Sequence, residues 1–379
     1  MEPKNEYKIV KILNFPDISI EVNQKFTIDT EKRSYKFDSL CSELEKIPLQ
    51  EEPYNIESLY CEDESGEKIT LFNVSIIIYG RHIDDRFVIS QNGIIIGAHI
   101  SSLEALNVTK LKCSIEDINQ VRRLSIYNEK QLALDNGINI KLSANFEDYI
   151  WGMKEPVSFY YIGCNENTVK LSEMQESFYY WRELIFLIHG FFPTFSWYSL
   201  EWLGKNVLYR DYNKEYLEKN IFSNRKQEFN KNIDLDKVIK KWPEIRKKYG
   251  KTIDFFFSTI HNKDIFWEFH PFMMVACIDG LSSKNSSDDE TRPEVKSGDA
   301  KIRHEVRNII NSDEAKLILG NISREKKDNI VNKLCEHRHW FAHAKFESEH
   351  QLERKEGIDI AINLREILRL VMLNECIKE

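Results

Sequence analysis

The feature that most limits what this chain can fold into is a change in the spacing of its apolar residues near Asn167. Before that point the apolar residues fall in short runs rich in β-branched and aromatic side chains, at 69–79, 93–100, 138–142 and 157–162. Such runs suit a pleated, half-buried surface and predict strands. Ser65-Gly66, Asn92-Gly93 and Asn136-Gly137 punctuate them, and Asn92-Gly93, between FVIS and IIIG, predicts a hairpin turn. After that point Leu171, Met174, Phe178, Trp181, Ile185 and Ile188 recur at spacings of three or four, which is one stripe of a helix. Asn167 or Thr168 is expected to cap its start, and Gly190 with Pro193 to end it.

Further helices are predicted at about 211–220, 234–249 with a kink at Pro243, 251–281, 300–311, 324–344 and 356–377. Between two of them, residues 282–300 are rich in Ser, Asp and Lys and predict a mobile loop, because they bury too little apolar surface to offset ordering entropy. The expected fold class is therefore α+β and multidomain. A β-rich N-terminal domain occupies 1–163, and an all-α domain occupies 164–379 with a flexible insertion at 282–300.

Charge is informative once it is divided along the chain. The formal net charge is −8, and residues 1–150, with 17 Lys/Arg and 25 Asp/Glu, account for all of it. A constitutive binder of duplex nucleic acid would be strongly basic, so that class is excluded. One basic stretch exists, residues 225–251, with ten Lys/Arg against four acids. It is either a solvated helix face or a rim in which Lys240, Lys241, Lys247 and Lys248 contact phosphates. The seven cysteines are scattered and show no CxxC spacing, which argues against a disulfide framework and a zinc knuckle. With no run of about 18 apolar residues and no signal-peptide pattern, a cytoplasmic, soluble protein without membrane contact is expected.

One segment carries chemistry: Cys335-Glu336-His337-Arg338-His339-Trp340-Phe341-Ala342-His343. It falls late in the predicted helix that follows Ser323. The stripe Ile330, Leu334, 338, Phe341 puts Arg338 where a core Leu is expected. A strongly apolar final helix follows. His339 and His343 share a helix face, but no third ligand is evident, so no metal site and no cofactor are expected.

With an Arg, a polar residue, three mainly apolar residues and a His, this segment resembles the motif of the HEPN superfamily, and the layout is similar to the ApeA-like HEPN proteins of prokaryotic anti-phage defence. The resemblance implies a helical HEPN bundle over 168–379 behind a β-rich sensor or regulatory domain. It also implies a homodimer, RNA as substrate (single strands or structured loops), and catalysis by Arg338 and His343, with His339 at the motif's polar position.

That chemistry is coherent on its own terms. RNA supplies its own nucleophile in the 2′-OH. An imidazole titrating near neutrality can move the protons, and a guanidinium fork can hold the phosphate oxygens. On an ideal helix positions 338 and 343 lie about 140° apart, so a long Arg side chain, a helix end or a two-fold mate must bring the groups together. Arg303 and Arg307, on a preceding helix, are either added phosphate contacts or a solvated face. The resemblance leaves room for a phage-encoded trigger. Two other readings stand beside it: a non-catalytic dimerisation or RNA-binding module, and the toxin half of a toxin–antitoxin pair.

Overall fold

The structure is a computed structural model. It describes residues 4–15, 18–29, 34–37, 53–79, 86–115, 117–127, 129–148, 153–193, 195, 197–211, 233–261, 266–285, 299–342 and 352–378. The chain divides into two compact units, Met1–Tyr179 with Pro193–Leu217, and Tyr180–Phe192 with Glu218–Glu379.

The first unit is built on one antiparallel sheet. Its strands are β1 (Glu6–Phe15), β2 (Ile18–Asp29), β3 (Ser34–Phe37), β4 (Tyr54–Asp63), β5 (Lys68–Tyr79), β6 (Arg86–Ser90), β7 (Gly93–Ile96), β8 (Asn107–Ile115), β9 (Lys130–Ala133), β10 (Asn139–Asp148), β11 (Lys154–Lys170), β12 (Tyr198–Trp202) and β13 (Lys205–Asp211). They pair in the order β2-β1-β4-β5-β7-β13-β12-β8-β11-β10-β9, with β6 also on β5 and β3 on β6. A short helix, α1 (Ile118–Leu124), follows β8 and is capped by the Asp117 carboxylate, which accepts from the backbone N–H groups of Asn119 and Gln120.

Alternation governs this sheet. Ile69 and Leu71 of β5 enter a buried cluster with Ile9, Ile12, Leu59, Ile94, Ile96 and Leu208, and so do Val74 and Ile76. Leu71 and Val74 are three apart, which strict alternation forbids. Asn73, at φ 48°, absorbs the extra residue in the left-handed region that Asn tolerates. The same irregularity explains why Asn92-Gly93 is not a hairpin turn. Strands β6 and β7 both run antiparallel to β5, against residues 75–79 and 69–72 respectively, so the chain continues past Gln91-Asn92 instead of reversing. Gly93 also lets β13 approach closely, since a Cβ there would lie 3.2 Å from the Arg210 carbonyl oxygen.

The expected border at residue 163 falls inside β11, which continues to Lys170 and leads straight into α2 (Leu171–His189). Asn167 and Thr168 are thus strand residues and not helix caps. The apolar stripe of α2 is as expected: Leu171, Met174, Phe178, Trp181, Ile185 and Ile188 are all buried. Gly190, at φ 73°, ends the helix, and its N–H donates to the Phe186 carbonyl. In the first unit α2 packs on β11, where the Tyr161 and Ser177 hydroxyls lie 2.8 Å apart and the Tyr161 and Phe178 rings meet edge to face at 5.0 Å. The hairpin β12–β13 is a further departure, since it puts sheet into a region expected to be wholly helical.

The second unit is helical. Besides the end of α2 it holds α3 (Leu235–His261), α4 (Phe269–Asn285), α5 (Asp299–Asn311), α6 (Asp313–Leu319), α7 (Arg324–Ala342) and α8 (Arg354–Ile377). The expected helix at 211–220 lies outside the described residues except for Asp211, which ends β13. The break in α3 is at Gly250 (φ 29°, ψ −104°), while Pro243 is accommodated within the helix. Of the loop expected at 282–300, residues up to Asn285 prolong α4 and Asp299 begins α5; the remainder lies outside the described residues.

Two buried polar clusters of this unit are paired. Arg369 of α8, almost fully buried, donates to the Leu187 carbonyl in the last turn of α2 and pairs with Glu366 at 2.9 Å. It satisfies a terminal carbonyl that the helix itself leaves without a partner. Glu183 of α2 accepts from Trp242 Nε1 at 2.9 Å and meets Arg246 at 3.0 Å, and Arg246 also pairs with Asp254. Burial is the main influence on the Glu183 carboxyl and pushes its pKa up to about 7, against the opposing pull of Arg246 and Trp242.

Candidate functional site

Helix α7 carries the motif. Ser323 precedes it and accepts through Oγ from the Lys326 N–H at 3.3 Å, as its position before the apolar run predicts. The described helix runs through Ala342; His343, the next residue, lies outside the described residues.

The buried face of α7 is rotated from the one expected. Val331, Leu334, Cys335 and His337 are buried, whereas Ile330, Arg338, His339, Trp340 and Phe341 are half-buried. The core position that spacing gives to Arg338 belongs to His337, with 0% of its surface exposed. The reason is a tertiary partner. His337 Nε2 lies 2.8 Å from the Glu268 carbonyl oxygen, so Nε2 bears the proton and donates. Around the imidazole stand Trp267 at 6.3 Å, Trp340 at 5.7 Å and Phe341 at 5.6 Å. Burial, the largest influence, holds the pKa of His337 below the usual histidine value against the opposing pull of Glu268. His337 is therefore a neutral pin that joins the last turns of α7 to the start of α4.

The pin is seated in turn by α8. Gly357 faces the Trp267 indole so closely that a Cβ there would lie 2.5 Å from Cζ3. Lys333 and Glu356 form a 2.5 Å ion pair between α7 and α8. Phe341 packs on Phe269 at 4.5 Å and on Phe272 at 5.7 Å. The turn that bears Arg338 is thus held by contacts to α4 and α8, and Arg338 itself is half-buried.

The other sequence candidates sit elsewhere. Arg303 of α5 donates to Asn332 Oδ1, and Arg307 lies 3.4 Å from Asp328. Both residues reach α7, but on its earlier turns, with Asp328 about 15 Å along the axis from Arg338 at 1.5 Å per residue. Lys240, Lys247 and Lys248 are exposed on α3. Lys241 pairs with Glu244 at 2.5 Å, and the Lys248 ammonium lies 4.9 Å from the Tyr249 ring centre. No described helix is long and apolar enough to cross a membrane.

The residues that sequence reasoning passed over are those at 266–272, Phe266-Trp267-Glu268-Phe269-His270-Pro271-Phe272, absorbed into one expected helix at 251–281. Two signals were present: four aromatic residues in seven, and a proline that is tolerated in the first turn of a helix. Helix α4 does begin there, at Phe269.

Comparison with known proteins bears on the first unit. Residues 9–155 match the family model described as ApeA N-terminal domain 1. The match covers the sheet as far as the start of β11 and supports an ApeA-like, anti-phage defence assignment for this part of the chain. The helices downstream lie outside it. No curated protein matches the chain, and no solved structure matches it.

Proposed function

We propose that the helical unit is an endoribonuclease of the HEPN type acting in anti-phage defence, with Arg338 and His343 as its reactive pair. The observation that carries the reading is the turn of α7 around Arg338. His337 is pinned by the Glu268 carbonyl and by Trp267, and Arg338 stands half-buried beside it, five residues before His343. A turn held this way fixes the Cα from which the Arg338 guanidinium reaches a phosphate, and positioning of that kind serves a transition-state contact. The ApeA N-terminal match supports the setting in defence.

In this reaction the imidazole of His343 takes the proton of a ribose 2′-OH, and the 2′-oxygen bonds to the adjacent phosphorus. The bond from phosphorus to the 5′-oxygen breaks, and that oxygen receives a proton from an imidazolium or from water. The products are a 2′,3′-cyclic phosphate and a 5′-hydroxyl. Arg338 carries the extra negative charge of the phosphorane through its planar fork. His339 lies within the same turn to support a proton relay. A second copy of the chain, related by a two-fold axis, supplies the opposing acid and base. No metal enters the scheme. The acidic β-rich unit acts as sensor and restraint, released by a phage-encoded trigger.

The test is cleavage of total RNA by the full-length chain, with and without EDTA, alongside Arg338→Ala and His343→Ala. Each variant is expected to lose several orders of rate while melting within a few degrees of the parent. Mass spectrometry should find cyclic-phosphate ends. Variants that fold and cut at the parental rate, or a cut that needs magnesium and leaves 3′-hydroxyls, would overturn the proposal.

A further inference from the structure

The segment that enters α4 presents two aromatic side chains to solvent. Phe266 is 75% exposed and Phe269 is 40% exposed, whereas most of the described aromatic residues are buried or half-buried. They lie one turn apart, because the Phe269 N–H donates to the Phe266 carbonyl at 3.0 Å. The turn is fixed against the motif helix: Trp267 stacks on His337, Glu268 accepts from His337, and Phe269 packs on Phe341 at 4.5 Å. Phe341 and Arg338 are three residues apart on α7 and so face the same side, with Cβ atoms about 5–6 Å apart. Phe269 and Arg338 therefore both flank Phe341, with Phe266 one turn before Phe269.

We infer that Phe266 and Phe269 form a stacking platform for an unpaired base of the RNA strand, beside the phosphate that Arg338 engages. The inference rests on the ribonuclease reading and deepens it by adding a base contact, on Phe266 and Phe269, to the phosphate contact of Arg338. The chemistry fits one occupant. Two aromatic rings exposed one turn apart offer π surface to a base, and a cation one turn from Phe341 complements the phosphate next to that base. Unpaired bases are recognised by such aromatic faces, and duplexes withhold theirs within the helical stack. The two rings supply apolar area for a base, and the cation that complements the adjoining phosphate is Arg338.

The test uses the full-length chain and a single-stranded oligonucleotide with one 2-aminopurine. Binding to the parent is expected to change the fluorophore's emission through stacking. Phe266→Ser with Phe269→Ser is expected to abolish that change and to raise KM about tenfold at nearly constant kcat. Phe266→Ser alone, at a side chain that is mostly solvent-exposed, guards against a folding defect at Phe269 and is expected to act in the same direction. Phe266→Trp should keep the signal. A parent that cuts RNA with the same KM and emission change as the serine variants would overturn the platform and leave the nuclease reading standing. A parent that fails to cut, yet shows an emission change lost in the serine variants, would uphold the platform and remove the nuclease reading. Serine variants that alter only the oligomeric state in light scattering, with RNA affinity unchanged, would assign the surface to a second copy of the chain and overturn the inference.

Discussion

The Trp267 indole occupies the space that a side chain at position 357 would need, since a Cβ on Gly357 would lie 2.5 Å from its Cζ3 and 3.0 Å from its Cε3. The contact sits between α8 and the residues that hold His337, so it links the packing of the final helix to the turn bearing Arg338.

Gly357→Ala is therefore expected to destabilise the chain. Alanine is the better helix former, by about 1 kcal/mol in a helix interior, and that preference alone would raise the melting temperature. Overpacking against a fixed ring costs about 1–3 kcal/mol and should win. Denaturant unfolding decides the sign. A net gain in stability would show that the indole moves aside at little cost. On the proposed ribonuclease reading, RNA cleavage should fall with stability, because the displaced ring is the one stacked on His337.

Glu183 sets a second expectation. Its carboxyl has a pKa of about 7 in the folded chain, well above the ordinary glutamate value, because burial outweighs Arg246 and Trp242. A raised folded-state pKa means that the folded state holds the proton more tightly than the unfolded state does. The associated stability is fully present below the unfolded pKa and is lost as pH rises through about 7. The loss is on the order of 2–3 kcal/mol. Glu183→Gln keeps an acceptor for Trp242 and cannot ionise. The stability difference between parent and Glu183→Gln should therefore change between pH 4.5 and 8, with the parent losing ground as pH rises. A difference that stays flat across that range would mean the carboxylate remains ionised at its Arg246 partner.

Arg369 yields a third. Its guanidinium joins the last turn of α2 to Glu366, and Glu366 is itself mostly buried. Arg369→Met removes the charge but keeps apolar bulk, leaving a carboxylate and a helix-terminal carbonyl unpaired, at a cost of about 3–5 kcal/mol. Adding Glu366→Gln should recover part of that loss. Equal stability of the single and double variants by thermal melting would argue that the ion pair contributes nothing beyond packing.

Much of this architecture is legible in the sequence, and the parts that are not share a physical cause. The stripe of α2 could be read because every third or fourth residue meets one core. The turn of the β12–β13 hairpin was hidden because both Leu203 (φ 49°) and Gly204 (φ 72°) adopt left-handed backbone, a geometry usually announced by Asn-Gly and here opened by a leucine. At the site, helical spacing placed Arg338 in the core, but the position went to His337 because a distant carbonyl and a distant indole receive the imidazole. Spacing along one helix reports its buried face to within about one residue, and long-range partners set the remainder. The basic run at 225–251 was only partly resolved by charge counting, since Arg246 proved to be an interior ion-pair partner while Lys247 and Lys248 stay in solvent.

The division of the chain, finally, bears on how such a protein can be assembled in evolution. The first unit takes 1–179 and 193–217, the second 180–192 and everything after 217, so the chain passes between units at three places, one of them inside α2. A cassette exchanged at any single junction would strip one unit of segments it buries: β12 and β13 from the first, or Trp181, Ile185 and Ile188 from the second. A single crossover at any of these junctions therefore leaves one unit incomplete. An exchanged front half must carry a version of α2 whose buried face fits the second unit, so the visible change from strand to helix is not a border at which the halves can be parted.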